Sequence, residues 1–191
     1  MTYFVRKIYK NQLFMTENKK TFGMGKANLI GLIFGIPFTV ILLLPYYFMY
    51  GIESTKEIRH FFIFNTFIPS IIIGIIVHEA IHGIAWAIAA KIPITEIKFG
   101  FQVKTLTPFA HCKVPINIVA YRIGTLMPFL ILGLLPYIYS LAIQNAIVMG
   151  FSLFFSFAAI GDLMILWITK DIAKDKKVQD HPTEAGVTIL D

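Results

Sequence analysis

Uncharged runs divide this chain into long apolar segments separated by short charged connections. Ala27 to Tyr50 carries no charge over 24 residues, more than the roughly 20 residues that cross a bilayer core of about 30 Å at 1.5 Å per residue. Phe61 to Ala90 runs 30 residues with Glu79 as its one formal charge, so this span either tilts or opens with an interfacial segment broken near Pro69. Ile123 to Gly161 is uncharged over 39 residues, enough for most of two spans, with Gln144-Asn145 as the turn between them. Between the second and third runs the period changes. Odd positions read Thr95, Ile97, Phe99, Phe101, Val103, Thr105, while even ones read Glu96, Lys98, Gly100, Gln102, Lys104. Alternation with period two predicts a strand, and Gly100 as a turn or bulge would fold it into a hairpin at the membrane surface.

The pattern predicts an all-α integral membrane fold of about four transmembrane helices, with a short β-hairpin-like segment between the second and third. The spans are expected near 27–50, 61–90, 123–143 and 146–169, giving a core over 27–170. A basic arm over 1–26 precedes it, partly lying on the lipid surface, and a polar tail over 171–191 follows, its last dozen residues expected to lack order. Composition agrees, with 57% hydrophobic and 15% charged residues in 191, one domain by length. The first apolar run follows a long polar segment and is too long for a signal-peptide core, so no cleaved signal is expected. The single cysteine, Cys112, excludes an internal disulfide and reads as an ordinary small residue.

One apolar run is interrupted in a specific way. Ile71 to Ala90 reads IIIGIIVHEAIHGIAWAIAA, which places His78, Glu79 and His82 as HExxH inside a membrane-length helix. Residues four apart share a helix face, so both imidazoles can serve one metal ion with Glu79 beside it. Two neutral imidazoles suit zinc, and a carboxylate that is not a ligand can accept a proton from a water the metal acidifies. Strongly polar residues near a bilayer centre cost about 2.5 to 3.5 kcal/mol each on the lenient scale, so three within two turns call for a function. The bland alternative is a polar patch that hydrogen-bonds neighbouring helices.

A third zinc ligand is then needed, and the only other acidic residue in the spans is Asp162. His82 stands nine residues before Lys91 and Asp162 eight before Lys170, so both lie about 12 to 14 Å below the same boundary. Gly161 beside Asp162 is expected to let the fourth helix approach the second closely. His111 is the alternative ligand, reaching in from the connecting loop, against the simpler reading of a surface histidine.

The net charge of +6 is explained by where the basic residues lie. Of the 17 Lys and Arg, six precede the first span, two (Lys56 and Arg59) lie between the first and second, five between the second and third, and four in the tail. With both termini in the cytoplasm only Lys56 and Arg59 face outward, as the positive-inside rule prefers. The bilayer, with its anionic lipid, is the expected partner of this charge. Nucleic acid is excluded, since it would want a basic face with stacking aromatics on a soluble fold.

Through His78, Glu79, His82 and Asp162 the chain resembles intramembrane metalloproteases of the site-2 protease type, which carry HExxH in one transmembrane helix and an Asp on a later one. It departs from them in its order Gly161-Asp162-Leu163, where those proteins have Leu-Asp-Gly, and in having no PDZ-like insert. It is closer in length and in the Gly-Asp order to the small bacterial membrane proteins grouped as zincin peptidases and otherwise of unassigned function. That resemblance, over most of residues 60 to 170, implies Zn2+ and Glu79 as general base. The expected function is an integral membrane zinc metallopeptidase, multi-pass in the bacterial cytoplasmic membrane. It would cleave a membrane-associated peptide or protein near the cytoplasmic face. Two alternatives stay open: a membrane metal-binding or scaffolding protein without hydrolysis, and a zinc hydrolase of a non-peptide membrane substrate.

Overall fold

A computed structural model describes residues 18–102, 107–181 and 184–190. The order is β1 (Asn18–Phe22), α1 (Met24–Lys56), a 3-10 turn (Glu57–Phe62), α2 (Phe64–Ala90), a second 3-10 turn (Ile94–Glu96), β2 (Ile97–Gln102), β3 (Thr107–Cys112), β4 (Ile116–Asn117) and α3 (Ile118–Pro128). A π-helical stretch (Phe129–Leu134) then joins α3 to α4 (Leu135–Ile143), followed by α5 (Ala146–Ala158), α6 (Ile160–Thr169), β5 (Lys177–Asp180) and β6 (Ala185–Leu190). The protein is mostly helical.

Three helical stretches, 29–62, 64–90 and 118–143, are long and apolar enough to cross a membrane, and the bent pair α5–α6 makes a fourth if counted as one. Local chemistry explains the boundaries. The helix α1 breaks at Gly51, whose φ of 77° lies where a side chain would be strained. The helix α2 ends at Lys91 in the left-handed conformation, with Pro93 two residues on to prevent continuation. The turn expected at Gln144-Asn145 is present: Gln144 adopts φ 55°, and the Asn145 side chain caps α5 by accepting from the Val148 amide at 3.0 Å.

Two features differ from the sequence reading. The fourth span is bent by 41° between α5 and α6, at Ala159, so Asp162 falls in the first turn of a new helix. The last dozen residues, expected to lack order, instead supply β6, which with β5 joins a four-stranded antiparallel sheet in the order β1-β6-β5-β4. Fully buried Val178 and Val187 explain this, since they join Trp86, Ile97, Cys112, Ile118 and Tyr121 in one apolar core. The basic arm contributes β1; its residues 1–17 lie outside the described residues.

The expected hairpin exists as the separate two-stranded sheet β2-β3. Gly100 does not make its turn but pairs mid-strand with Phe109 under that residue's ring; residues 103–106, between the two strands, lie outside the described residues. Because one sheet joins β1, the strand after β3 and the tail, the strand before the first span, the second connection and the tail all gather at one end of the helices.

Helix contacts are made over small residues and aromatic rings. Phe61 packs with Phe67, Phe151 and Phe154, and Gly150 lies directly beneath the Phe61 ring. Phe34, Phe48, Ile73 and Ile76 point outward, an apolar exterior suited to lipid.

Candidate metal centre

His78 and His82 are one turn apart on α2, their rings 4.9 Å from each other, and Asp162 faces both from α6. His78 Nε2 lies 3.1 Å from Asp162 Oδ2, and His82 Nε2 lies 3.3 Å from Asp162 Oδ1. One ligand atom from each of the three falls within 4.8 Å of the others. Asp162 lies in the first turn of α6, just after the bend at Ala159.

The hydrogen bonds around this triad fit a cation. His82 Nδ1 is 3.0 Å from the Gly124 carbonyl; a carbonyl only accepts, so Nδ1 carries the hydrogen and the neutral ring offers a lone pair at Nε2. In that neutral form a lone pair and a carboxylate oxygen face each other at 3.3 Å. Asp162 Oδ2 is buried and has no hydrogen-bond partner, although His78 Nε2 is near. A divalent cation among the three atoms would satisfy all of them, and a backbone carbonyl behind a ligating histidine is the usual means of fixing its tautomer.

The ring of His82 stacks on Trp86 at 5.3 Å and 17°, and Trp86 stacks on Tyr121 at 5.4 Å and 14°. Trp86 Nε1 donates to the Tyr121 carbonyl at 2.9 Å. Gly124 makes this column possible, because a Cβ there would lie 2.0 Å from Trp86 Cδ1.

Glu79 lines the same cavity of about 910 Å³ as the three residues above, and the Ala110 backbone lies beside its carboxylate. That contact fixes which edge of the hairpin faces the site. In the β2-β3 ladder Phe99 lies opposite Ala110 and Phe101 opposite Pro108. Pro108 has no N–H to give β2, so these are the pairs whose backbone groups point outward. The outer edge of β3 therefore runs beside Glu79.

The expectation for Gly161 is corrected. Gly161 does not mediate a close approach, for nothing lies within 4 Å of where its Cβ would be, and it lines the cavity instead. The close contacts of α2 are with α3, at Gly124, and with α5, where Gly74 seats the Phe155 ring. His111 stands outside the triad, bound through Nδ1 to Asp180 Oδ2 at 3.0 Å.

The arrangement defines a class: an HExxH helix whose two histidines meet an aspartate from a later helix, in a cavity bounded by a strand edge. A family model described as "Putative zincin peptidase" matches residues 71–176, more than half of the chain, and the chain belongs to that family. No curated protein and no solved structure matches it.

Proposed function

We propose that this protein is a membrane-embedded zinc metallopeptidase that hydrolyses a peptide bond in a membrane-associated substrate near the cytoplasmic face. The observation that carries the reading is the convergence of His78 Nε2, His82 Nε2 and the Asp162 carboxylate, with Asp162 Oδ2 buried and, among the described residues, without a hydrogen-bond partner. Those three residues would hold the metal. When bound, zinc supplies Lewis acidity, which acidifies water and polarises a carbonyl.

Glu79 is the general base. Its carboxylate takes a proton from the attacking water and returns it to the departing nitrogen, with the Ala110 backbone beside it. A helical peptide hides its carbonyls, so cleavage needs an extended segment. The outward edge of β3 offers strand addition beside Glu79, a physical route to that extended form. A scaffold that only binds metal gains little from a free carboxylate there.

Membrane insertion is supported by the length and apolarity of the helices. Orientation is supported by charge: the sheet gathers β1, the second connection and the tail at one end, and the positive-inside rule assigns that end to the cytoplasm. The deciding experiment is the zinc content of purified wild-type protein against His78→Ala. About one zinc per chain is expected in the first and little in the second; equal content in both sinks the metal assignment.

A further inference from the structure

Beside the triad the cavity holds a second polar cluster, built from three elements. His111 on β3, Tyr121 on α3 and Asp180 on β5 all line it together with Glu79. Asp180 accepts twice, from His111 Nδ1 at 3.0 Å through Oδ2 and from the Tyr121 hydroxyl at 3.0 Å through Oδ1. A carboxylate at Nδ1 requires a hydrogen there, so the ring is locked and Nε2 is its only free polar atom. His111 follows Ala110, whose backbone lies beside the Glu79 carboxylate, so its Cα lies about 3.8 Å from the Ala110 Cα.

We propose that His111 is a catalytic residue of this site, its imidazolium Nε2–H donating to the carbonyl oxygen of the peptide bond under attack, with Asp180 as the positioning residue that aims it. The proposal rests on the peptidase reading. Hydrolysis moves charge onto that oxygen as the water oxygen bonds to carbon, and a fixed donor at that point stabilises the developing charge. In the imidazolium form both ring nitrogens donate, one to Asp180 and one to the substrate. The ionisable groups facing the ring are Asp180 from β5, Tyr121 from α3 and Lys98, directly opposite on β2. His181 and Glu184 stand farther along the tail wall. Asp180 lies beyond the family-matched residues 71–176, so the docked tail would complete the site.

The test uses the full chain in detergent micelles loaded with zinc, and an internally quenched peptide library rich in Leu, Ala and Gly. His111→Ala should keep its zinc and lose about 100-fold in kcat with KM little changed, as expected for a lost donor to transition-state charge. His111→Gln, which retains an N–H, should recover part of that loss. Asp180→Asn should cost about 10-fold and shift the 15N signals of the His111 ring away from the Nδ1–H form. Gln179→Ala, which removes the tail contact to the Lys113 carbonyl without touching His111, should leave the rate unchanged. Wild-type cleavage by His111→Ala, loss of its zinc, or an equal loss in Gln179→Ala would overturn the inference while leaving the peptidase reading intact. A zinc-loaded wild type that cleaves nothing would sink both.

Discussion

His82 is anchored by Gly124: its Nδ1–H donates to that carbonyl at 3.0 Å, which leaves Nε2 facing Asp162. The same glycine makes room for Trp86, on which His82 stacks. Gly124→Ala therefore acts twice. A Cβ 2.0 Å from Trp86 Cδ1 must push the indole away, and overpacking of this kind costs about 1 to 3 kcal/mol. Moving α3 or Trp86 also loosens the bond behind His82, and losing such support weakens metal affinity about 10- to 100-fold. Thermal unfolding with and without zinc would measure both effects, and a variant with unchanged zinc affinity would show that His82 needs no help from Gly124.

Glu79→Gln and His78→Ala should separate catalysis from binding. The amide of the first keeps shape and hydrogen bonding but cannot take a proton, so zinc should stay and hydrolysis should cease. The second removes a ligand and should lose metal and activity together. Zinc analysis and peptide cleavage on the same preparations give the comparison; cleavage by Glu79→Gln at the wild-type rate would exclude the general-base role.

Cys112 should be inert in the folded protein. It is fully buried in the core beside Trp86 and Ile118, and burial raises its thiol above the usual range, which depletes the reactive thiolate. A thiol reagent should therefore label it only after denaturation, leaving new cysteines in the tail or in the first connection free to report which side each occupies. Tail labelling from outside intact cells would reverse the orientation argued from the basic residues.

Much of the site was legible because few polar residues occur in the apolar runs. His78, Glu79, His82 and Asp162 stand out against uncharged neighbours, and counting residues from the nearest lysine matched the depth of His82 and Asp162. The supporting residues were not legible. Gly124 acts through its carbonyl and its missing side chain, and nothing in an uncharged run marks one such glycine from another. Trp86 was closer to reach, since it follows His82 by four residues and must share its face. The tail failed differently: its charges read as a solvated end, whereas β5 and β6 bury Val178 and Val187 through pairing with strands distant in sequence. Nothing in the sequence marks Asp180, 69 residues after His111, as its partner.

That docking yields the last prediction, that removal of residues 177–191 destabilises the whole protein and does not simply trim an end. Val178 and Val187 are both fully buried in the cluster that also contains Trp86 and Tyr121. Exposing two such side chains costs about 3 to 6 kcal/mol at about 1.5 to 3 kcal/mol each. Truncation also removes the partner strands of β1 and β4, the Asp180 contacts to Tyr121 and His111, and cover over Trp86, the residue on which His82 stacks. The truncated chain should therefore unfold at a lower temperature, become sensitive to protease near β3, and bind zinc more weakly than the intact protein. Val178→Ala, a milder change, should reproduce part of the lower midpoint while leaving the zinc ligands in place. If the truncated chain kept the wild-type midpoint and zinc affinity, the sheet formed by β1, β6, β5 and β4 would contribute nothing to holding the metal site together.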